Sequence, residues 1–553
     1  MVTAIPLVPT GPVLPGVVGV VGANAAVAGA TAFVPLSPSR LADTRAEQGS
    51  YGFSRIGATT IRVQVAGLGG VPADASAAVL NLTSVGAWAA GFATVFPAGN
   101  PMPATSTLNV DRGGQIIANL VTVRLGTDGA VDIFTNVPMD LVVDVAGAYR
   151  PTAVSVSAGR LVTLAGGAQR VFDSRNTGGP IGAGTEQVVS LAAIGMPADA
   201  IAVVLTIIAT EAMPGYWSAY PAMEARPRSS SLNIDAVGQT RSALAIVRLA
   251  PGTQAVSIFA QTGGHLIVDV AGWYSGASAT PSTDGLFVPI SPVRVFDTRG
   301  AHSIPPWGGS TFEVPTGSPL PAQTSAVAAN ITLTDPLYTG YITAYPAGSP
   351  RPFASNLNAT GFDQTIANHA IVRVGDRGLA LFTQSGTHLV ADITGWFTGR
   401  PEPSLLPVPR NPSYATTAAT AVSAAGVGVG AFVGYGRSID AVVNSGRAGL
   451  WAGTGRLGTP EHNILFAHRT SYGGVFRNID RLRVGSRFEM AGADGRIFLY
   501  EVVRQEVIVP RSEVLIAMVQ TAAPITVTLV ACHPPGSVRY RLAVTGRLIG
   551  VAG

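Results

Sequence analysis

The sequence predicts an all-β protein, with three tandem β-sandwich or jelly-roll-like units ahead of a distinct carboxy-terminal β domain. Three observations predict it. Only 12% of the 553 residues are charged, whereas 66 are Gly and 40 are Pro, a mixture that suits short strands joined by tight turns better than helical bundles or disordered tails. A set of phrases returns at intervals of 124 and 125 residues, from Asn109 to Asn233 to Asn358. Apolar runs such as Ala77-Ala78-Val79-Leu80-Asn81-Leu82 and Val131-Asp132-Ile133-Phe134 are short and bounded by Gly, Pro and Asn, and no convincing amphipathic helical period appears. At roughly 150 residues per domain the length also suggests about four domains.

Residues 1–30 form a leader or flexible arm. The first charged residue is Arg40, and the stretch from Gly16 to Val34 is rich in Val, Ala and Gly. An export or anchor segment has this look, but no positive region precedes it, and Pro6, Pro9, Pro12 and Pro15 crowd the start. Both readings stay open. No other stretch approaches about 18 uninterrupted apolar residues, so the rest is expected to be soluble.

The repeated units are placed at 31–151, 158–277 and 285–399. The phrase Leu41-Ala42-Asp43-Thr44-Arg45 returns as Val171-Phe172-Asp173-Ser174-Arg175 and Val295-Phe296-Asp297-Thr298-Arg299. Near each end, Val142-Val143-Asp144-Val145-Ala146-Gly147 becomes Ile267-Val268-Asp269-Val270-Ala271-Gly272 and Val390-Ala391-Asp392-Ile393-Thr394-Gly395. A period of this length is domain duplication, not a solenoid. A carboxylate and a guanidinium so close invite reading as a ligand site. The favoured reading is structural, an Asp that caps a turn and pairs with an Arg of its own unit. Ala148-Tyr149, Trp273-Tyr274 and Trp396-Phe397 close the three copies; packing at each unit's base is preferred to sugar stacking. Residues 31–398 resemble a repeat of secreted and surface proteins of high-GC Gram-positive bacteria. That resemblance implies no chemistry, and leaves spacer, adhesion and glycan-binding roles open.

A Pro-rich linker, 400–414, follows, with Pro401, Pro403, Pro407, Pro409 and Pro412. In the final domain, 415–553, strand-like runs Asn463-Ile464-Leu465-Phe466-Ala467 and Ile525-Thr526-Val527-Thr528-Leu529-Val530 lead to His468 and Cys532. A strand end aims a side chain rigidly yet leaves it reachable. Cys532 is the sole cysteine, so no intrachain disulfide forms.

The run Ala467-His468-Arg469-Thr470 through Gly473, Val475-Phe476 and Ile479, the run Thr528-Leu529-Val530-Ala531-Cys532-His533-Pro534, and Arg541 nine residues on resemble, in order, the signatures of sortases, with the Cys-His-Pro form of their class E group. The resemblance implies a sortase-type β-barrel and a cysteine transpeptidase that cuts a Thr-Gly bond in an LPxTG- or LAxTG-like sorting signal and passes the acyl group to an amine. It implies Cys532 as nucleophile, His468 as general acid/base and Arg541 as oxyanion and substrate stabiliser, roles that thiolate chemistry on an amide requires. Expected partners are signal-bearing surface proteins and an amine acceptor such as a cell-wall peptide, with cell-wall glycan a further candidate through the repeats. The expected location is extracytoplasmic, secreted or surface-associated.

His533 adjoins the cysteine, but neighbours on a strand face opposite ways, so it is read as a shaping residue. Arg539 shares Arg541's strand face and is the lesser candidate; His462 is read as a solvent-facing loop residue. Substrate contacts are assigned to Ala531, where the family usually has Thr, and to Val507, Ile508 and Leu515. The Gly-rich run from Val427 to Phe432 is unusual for a first strand. It keeps an alternative open: a surface structural or glycan-binding protein whose sortase-like domain is inactive. Leu542-Ala543-Val544-Thr545-Gly546 and Leu7-Val8-Pro9-Thr10-Gly11 resemble sorting signals; the first lies in the strand of Arg541 and is read as coincidence. No cofactor or metal is expected, because 485–515 carries only scattered acids, and no nucleic acid, because the net charge is +4 and the arginines are dispersed. All 35 basic residues are arginine, so the chain has no ε-amine to serve as its own acceptor.

Overall fold

Strand Ala77–Val85 shows how the short apolar runs are used. Its larger side chains, Leu80 and Leu82, turn into the core of their own unit. Its alternate residues, Ala77 and Val79, turn the other way into a second core. Both faces are dry, so the run is apolar throughout where a half-exposed strand would alternate. Ala202 and Val204 in the second copy, and Ala326 and Ala328 in the third, repeat this. The computed structural model describes residues 26–300, 310–315, 320–337, 339–361, 364–405, 417–435, 439–451, 456–458, 462–509 and 525–552.

Each copy is a sandwich of two antiparallel sheets. In the first, Thr31–Asp43, Asp140–Pro151, Ala77–Val85 and Ile117–Arg124 pair in that order, facing Phe53–Arg55, Thr60–Gln64, Ala130–Thr135, Gly91–Pro97 and Leu108–Val110. Among the described residues the second and third copies have four-stranded outer sheets. Thr31 of the first copy pairs with Phe287 of the third, which joins two inner sheets into one of eight strands.

The inner sheets meet in a core drawn from all three copies. Phe33 stacks on Tyr274 at 4.0 Å, Tyr149 meets Phe287 at 4.5 Å, and Phe287 meets Phe397 at 5.0 Å. The hydroxyls of Tyr149 and Tyr274 bond at 2.5 Å. Of the closing aromatics, Tyr149, Tyr274 and Phe397 are buried and seal the copies to one another, while Trp273 and Trp396 pack on the cores of their own units. Polar groups are matched around them: Asn81 Nδ2 donates to Ser230 O (2.8 Å), Asn330 Nδ2 to Ser106 O (2.6 Å), and Asn119 Nδ2 to Asn330 Oδ1 (2.9 Å). The copies pack around one shared centre, not as beads on a string.

The Asp-Thr/Ser-Arg phrase makes the same internal network three times. Arg40 donates to Asp144 (2.9 Å) and Asp43 (3.2 Å), while Arg45 closes on Asp43 (2.6 Å). Arg170, Asp269, Asp173 and Arg175, then Arg294, Asp392, Asp297 and Arg299, repeat it. The hydroxyl between them accepts the backbone N–H of Leu141, Leu266 or Leu389 at 2.9 Å. Asp and hydroxyl thus pin the start of the unit to its last strand, which accounts for the phrase without a ligand. The root of the connector is tied down as well, since Glu402 pairs with Arg373 (2.5 Å) and accepts from Gly166 N (3.0 Å).

The carboxy-terminal domain is a closed ring of eight strands: Thr417–Ala424, Val429–Gly434, Ala448–Leu450, His462–Phe466, Thr526–His533, Tyr540–Ala552, Ile497–Ile508 and Arg487–Gly492, which returns to the first. The Gly-rich run forms the second strand, not the first. Among the described residues the chain has one α-helix, Ile439–Asn444, and no helix long and apolar enough to cross a membrane. The leader region up to residue 25, most of the Pro-rich connector, and Leu515 lie outside the described residues.

Candidate active site

Strand His462–Phe466 runs parallel to Thr526–His533, with His462 opposite Thr526 and Phe466 opposite Val530. The ladder continues as Ala467 N donates to Val530 O at 3.2 Å. His468 follows two residues after Phe466, as Cys532 follows two residues after Val530. The 64 residues between them are the offset of the pairing itself. On the other side Cys532 is the direct antiparallel partner of Arg541, and paired residues share a face. Cys532 and Arg541 therefore share a rung at one end of the barrel wall, and His468 stands two residues beyond the end of the neighbouring strand.

Cys532 is part-buried. His468 Nε2 bonds Asn444 Oδ1 at 2.8 Å and its Nδ1 bonds Ser471 Oγ at 3.1 Å; Tyr472 lies 4.9 Å away, ring to ring. Arg541 Nη1 donates to Val538 O (2.8 Å) and Tyr540 O (3.1 Å), which leaves Nε and Nη2 without a partner among the described residues. Arg539 precedes the strand and reaches over the Tyr540 ring at 5.2 Å, so it is not on the cysteine's rung. Arg469 is buried, with Asp480 at 2.7 Å and His533 Nδ1 at 3.4 Å. It clamps the loop after His468 to the strand end that carries Cys532. A side chain at Gly474 would meet Arg469 O at 2.7 Å, so this tight loop needs glycine there.

Two expectations are corrected. Ala531 is turned away from the thiol: it is 2% exposed and belongs to the barrel interior with Leu529, Leu542 and Val544, because strand alternation sends residues 531 and 532 to opposite faces. His462 is a buried strand residue, with Nδ1 bonded to Thr526 Oγ1 (2.5 Å) and Nε2 to Thr528 Oγ1 (3.0 Å); burial pulls its pKa down to about 4. Ile508 is 7% exposed and joins Ile464, Val530 and Ala543 in a second apolar cluster on the cysteine's face, against Trp451 and Phe466. Val507 is half-exposed. Leu542, Ala543 and Val544 are buried in the barrel wall, so the signal-like pentapeptide there is a strand. Sequence reasoning missed Asn444, Ser471, Ile464 and Val530. Ser471 sits three residues past His468 in the same motif, and the strand period points Ile464 and Val530 to the cysteine's side; Asn444 carries no sequence signal.

A thiol, an imidazole and a guanidinium are the kinds of group that acyl transfer by a cysteine calls on. Residues 423–549 match the sortase domain model, and the closed barrel is a sortase-type domain. No curated protein matches the chain. Similar solved structures include the pilus-related sortase C of Group B Streptococcus (21% identity, TM-score 0.21, 24% of this chain and 68% of that one). Sortase C-1 of Actinomyces oris is 23% identical (TM-score 0.21, 24% and 73%), as is Clostridium perfringens sortase C with the C-terminal cell wall sorting motif (TM-score 0.21, 26% and 77%).

Proposed function

We propose that the carboxy-terminal domain is an extracytoplasmic cysteine transpeptidase acting on a sorting signal of the LPxTG or LAxTG kind. The observation that supports this best is the shared rung of Cys532 and Arg541, with His468 two residues past the strand that pairs beside it, inside the matched domain. In this reading Cys532 Sγ attacks the threonyl carbonyl carbon, and Arg541 donates through its unpartnered nitrogens to the oxygen as it gains charge. His468 protonates the glycyl nitrogen as the C–N bond breaks, leaving a thioester. An incoming amine attacks that thioester, gives up a proton to His468 and releases the thiolate. The apolar cluster of Ile464, Val530, Ala543 and Ile508 supports a groove for the signal's aliphatic residue beside the thiol. A lysine acceptor would belong to a partner, since the chain has no lysine.

Mass spectrometry of the purified chain with a Leu-Ala-x-Thr-Gly peptide tests the reading. The expected outcome is an acyl adduct at Cys532 that is discharged by glycine or a diamine, absent in Cys532→Ala, and formed at least ~100-fold more slowly in Arg541→Ala. Absence of any adduct across LPxTG and LAxTG peptides would overturn it in favour of a surface protein with an inactive domain.

A further inference from the structure

The three-fold repetition provides an internal control, because a residue kept for packing is expected in all three copies while one kept for a ligand need appear in only one. The first copy departs from the others at one end. Its outer sheet carries a strand, Phe53–Arg55, that the second copy lacks, and beside it opens a pocket of about 300 Å³, at the lower end of the range for small-ligand sites. Trp88 stands at this pocket and is 80% exposed. Its backbone N–H is held by Pro138 O at 3.0 Å, so the indole is presented from a fixed point. Met213 and Leu337 occupy the corresponding places and are held the same way, by Gly263 O and Gly386 O. The turn therefore needs no tryptophan, and an indole so exposed contributes little to any core.

The acid of the polar lining also differs from the other copies. Asp140 accepts from Thr44 Oγ1 at 2.8 Å through Oδ1, and its Oδ2 has no partner among the described residues. The other copies place His265 and His388 against the corresponding hydroxyls. Asn136 accepts from Phe92 N at 2.6 Å, which leaves its amide N–H groups as donors. Arg55 has no ion pair among the described residues and lies 5.7 Å from the Phe53 ring. A flat apolar face, one carboxylate acceptor and two donor groups suit a ring with C–H groups on its face and hydroxyls on its edge. Charge balance between Arg55 and Asp140 favours a neutral ligand over a phosphate or an acidic peptide.

We infer that this pocket is a saccharide site holding one pyranose unit of a neutral glycan, with Trp88 as the stacking platform and Asp140, Asn136 and Arg55 reading the hydroxyls. The site is independent of the transpeptidase reading. Saturation-transfer NMR of the full chain with trisaccharides of glucose, galactose, mannose and N-acetylglucosamine tests it, and the panel separates plain hexoses from acetamido sugars. Saturable transfer from at least one is expected. Trp88→Ala should weaken it tenfold or more and Asp140→Asn several-fold, with Met213→Ala and Cys532→Ala unchanged. The exposure of Trp88 makes its variant safe for folding, which far-UV circular dichroism checks. No transfer from any sugar, or equal transfer in folded Trp88→Ala, would overturn the inference.

Discussion

His369 lies where the third copy meets the first, fully buried, with its backbone N–H on Asn119 Oδ1 (2.9 Å) and its Nε2 accepting from Thr122 N (3.3 Å). Burial pulls its pKa down to about 3, and Nδ1 has no acceptor among the described residues. Below about 6.5 the unfolded chain takes up a proton that the folded one refuses until about 3. Its contribution is therefore full above that upper value and declines as pH falls through the window. A His369→Gln variant should start less stable at neutral pH but lose roughly 2–3 kcal/mol less than the parent between about pH 6.5 and 4.5. Denaturant titrations at several pH values check this; parallel curves would contradict it. At this scale the sequence exposes residues whose chemistry is rare in the chain, such as its sole cysteine. It conceals those whose role depends on what covers them: neither the burial of His462 nor that of His369 can be read from neighbours in sequence.

Strands were legible as elements, because turn residues bound them and the apolar runs match strand length. What pairs with what was less so. The parallel partnership of His462–Phe466 with Thr526–His533 spans 64 residues, and only closure of the ring reveals that motif spacing and strand register are one number. The glycine that ends each late phrase was visible as a repeat but not as a packing device. At Gly147 a Cβ would lie 2.4 Å from the Phe33 ring, and at Gly395 it would lie 2.2 Å from the Phe287 ring. Those glycines let an aromatic from the unit's first strand cross the last strand toward the shared core. Gly395→Ala should destabilise the repeat region by about 1–3 kcal/mol through overpacking. Gly57→Ala, in the first copy, meets nothing within 4 Å and should leave that region's melting unchanged. Calorimetry of both variants distinguishes a steric cost at the ring from a general cost of replacing glycine.

For the whole molecule, repeats of domain length suggest separate tandem domains, and nothing in a period of 124 residues tells whether copies string out or close up. The clue lay in the double burial of Ala77–Val85 and its counterparts, which is compatible with any second covering layer. Here the covering layer is the other copies. Tyr149, Tyr274, Phe287 and Phe397 are fully buried between them, and each aromatic removes about 150–250 Å² from water, worth several kcal/mol at about 25 cal/mol per Å². A single copy would return that surface to solvent and lose the backbone carbonyls of the neighbouring copies that accept from Asn81 and Asn330. The three copies should therefore melt in one transition, distinct from that of the barrel. Tyr274→Ala, in the second copy, should lower that single transition by several degrees, since truncating a buried aromatic costs roughly 3–5 kcal/mol. Residues 31–151 expressed alone should be unfolded or self-associated under conditions where the full chain is folded. Three resolvable transitions for the repeats, or a monomeric first copy melting at the temperature it shows in the full chain, would mean that the central core holds assembled domains together without being part of how they fold.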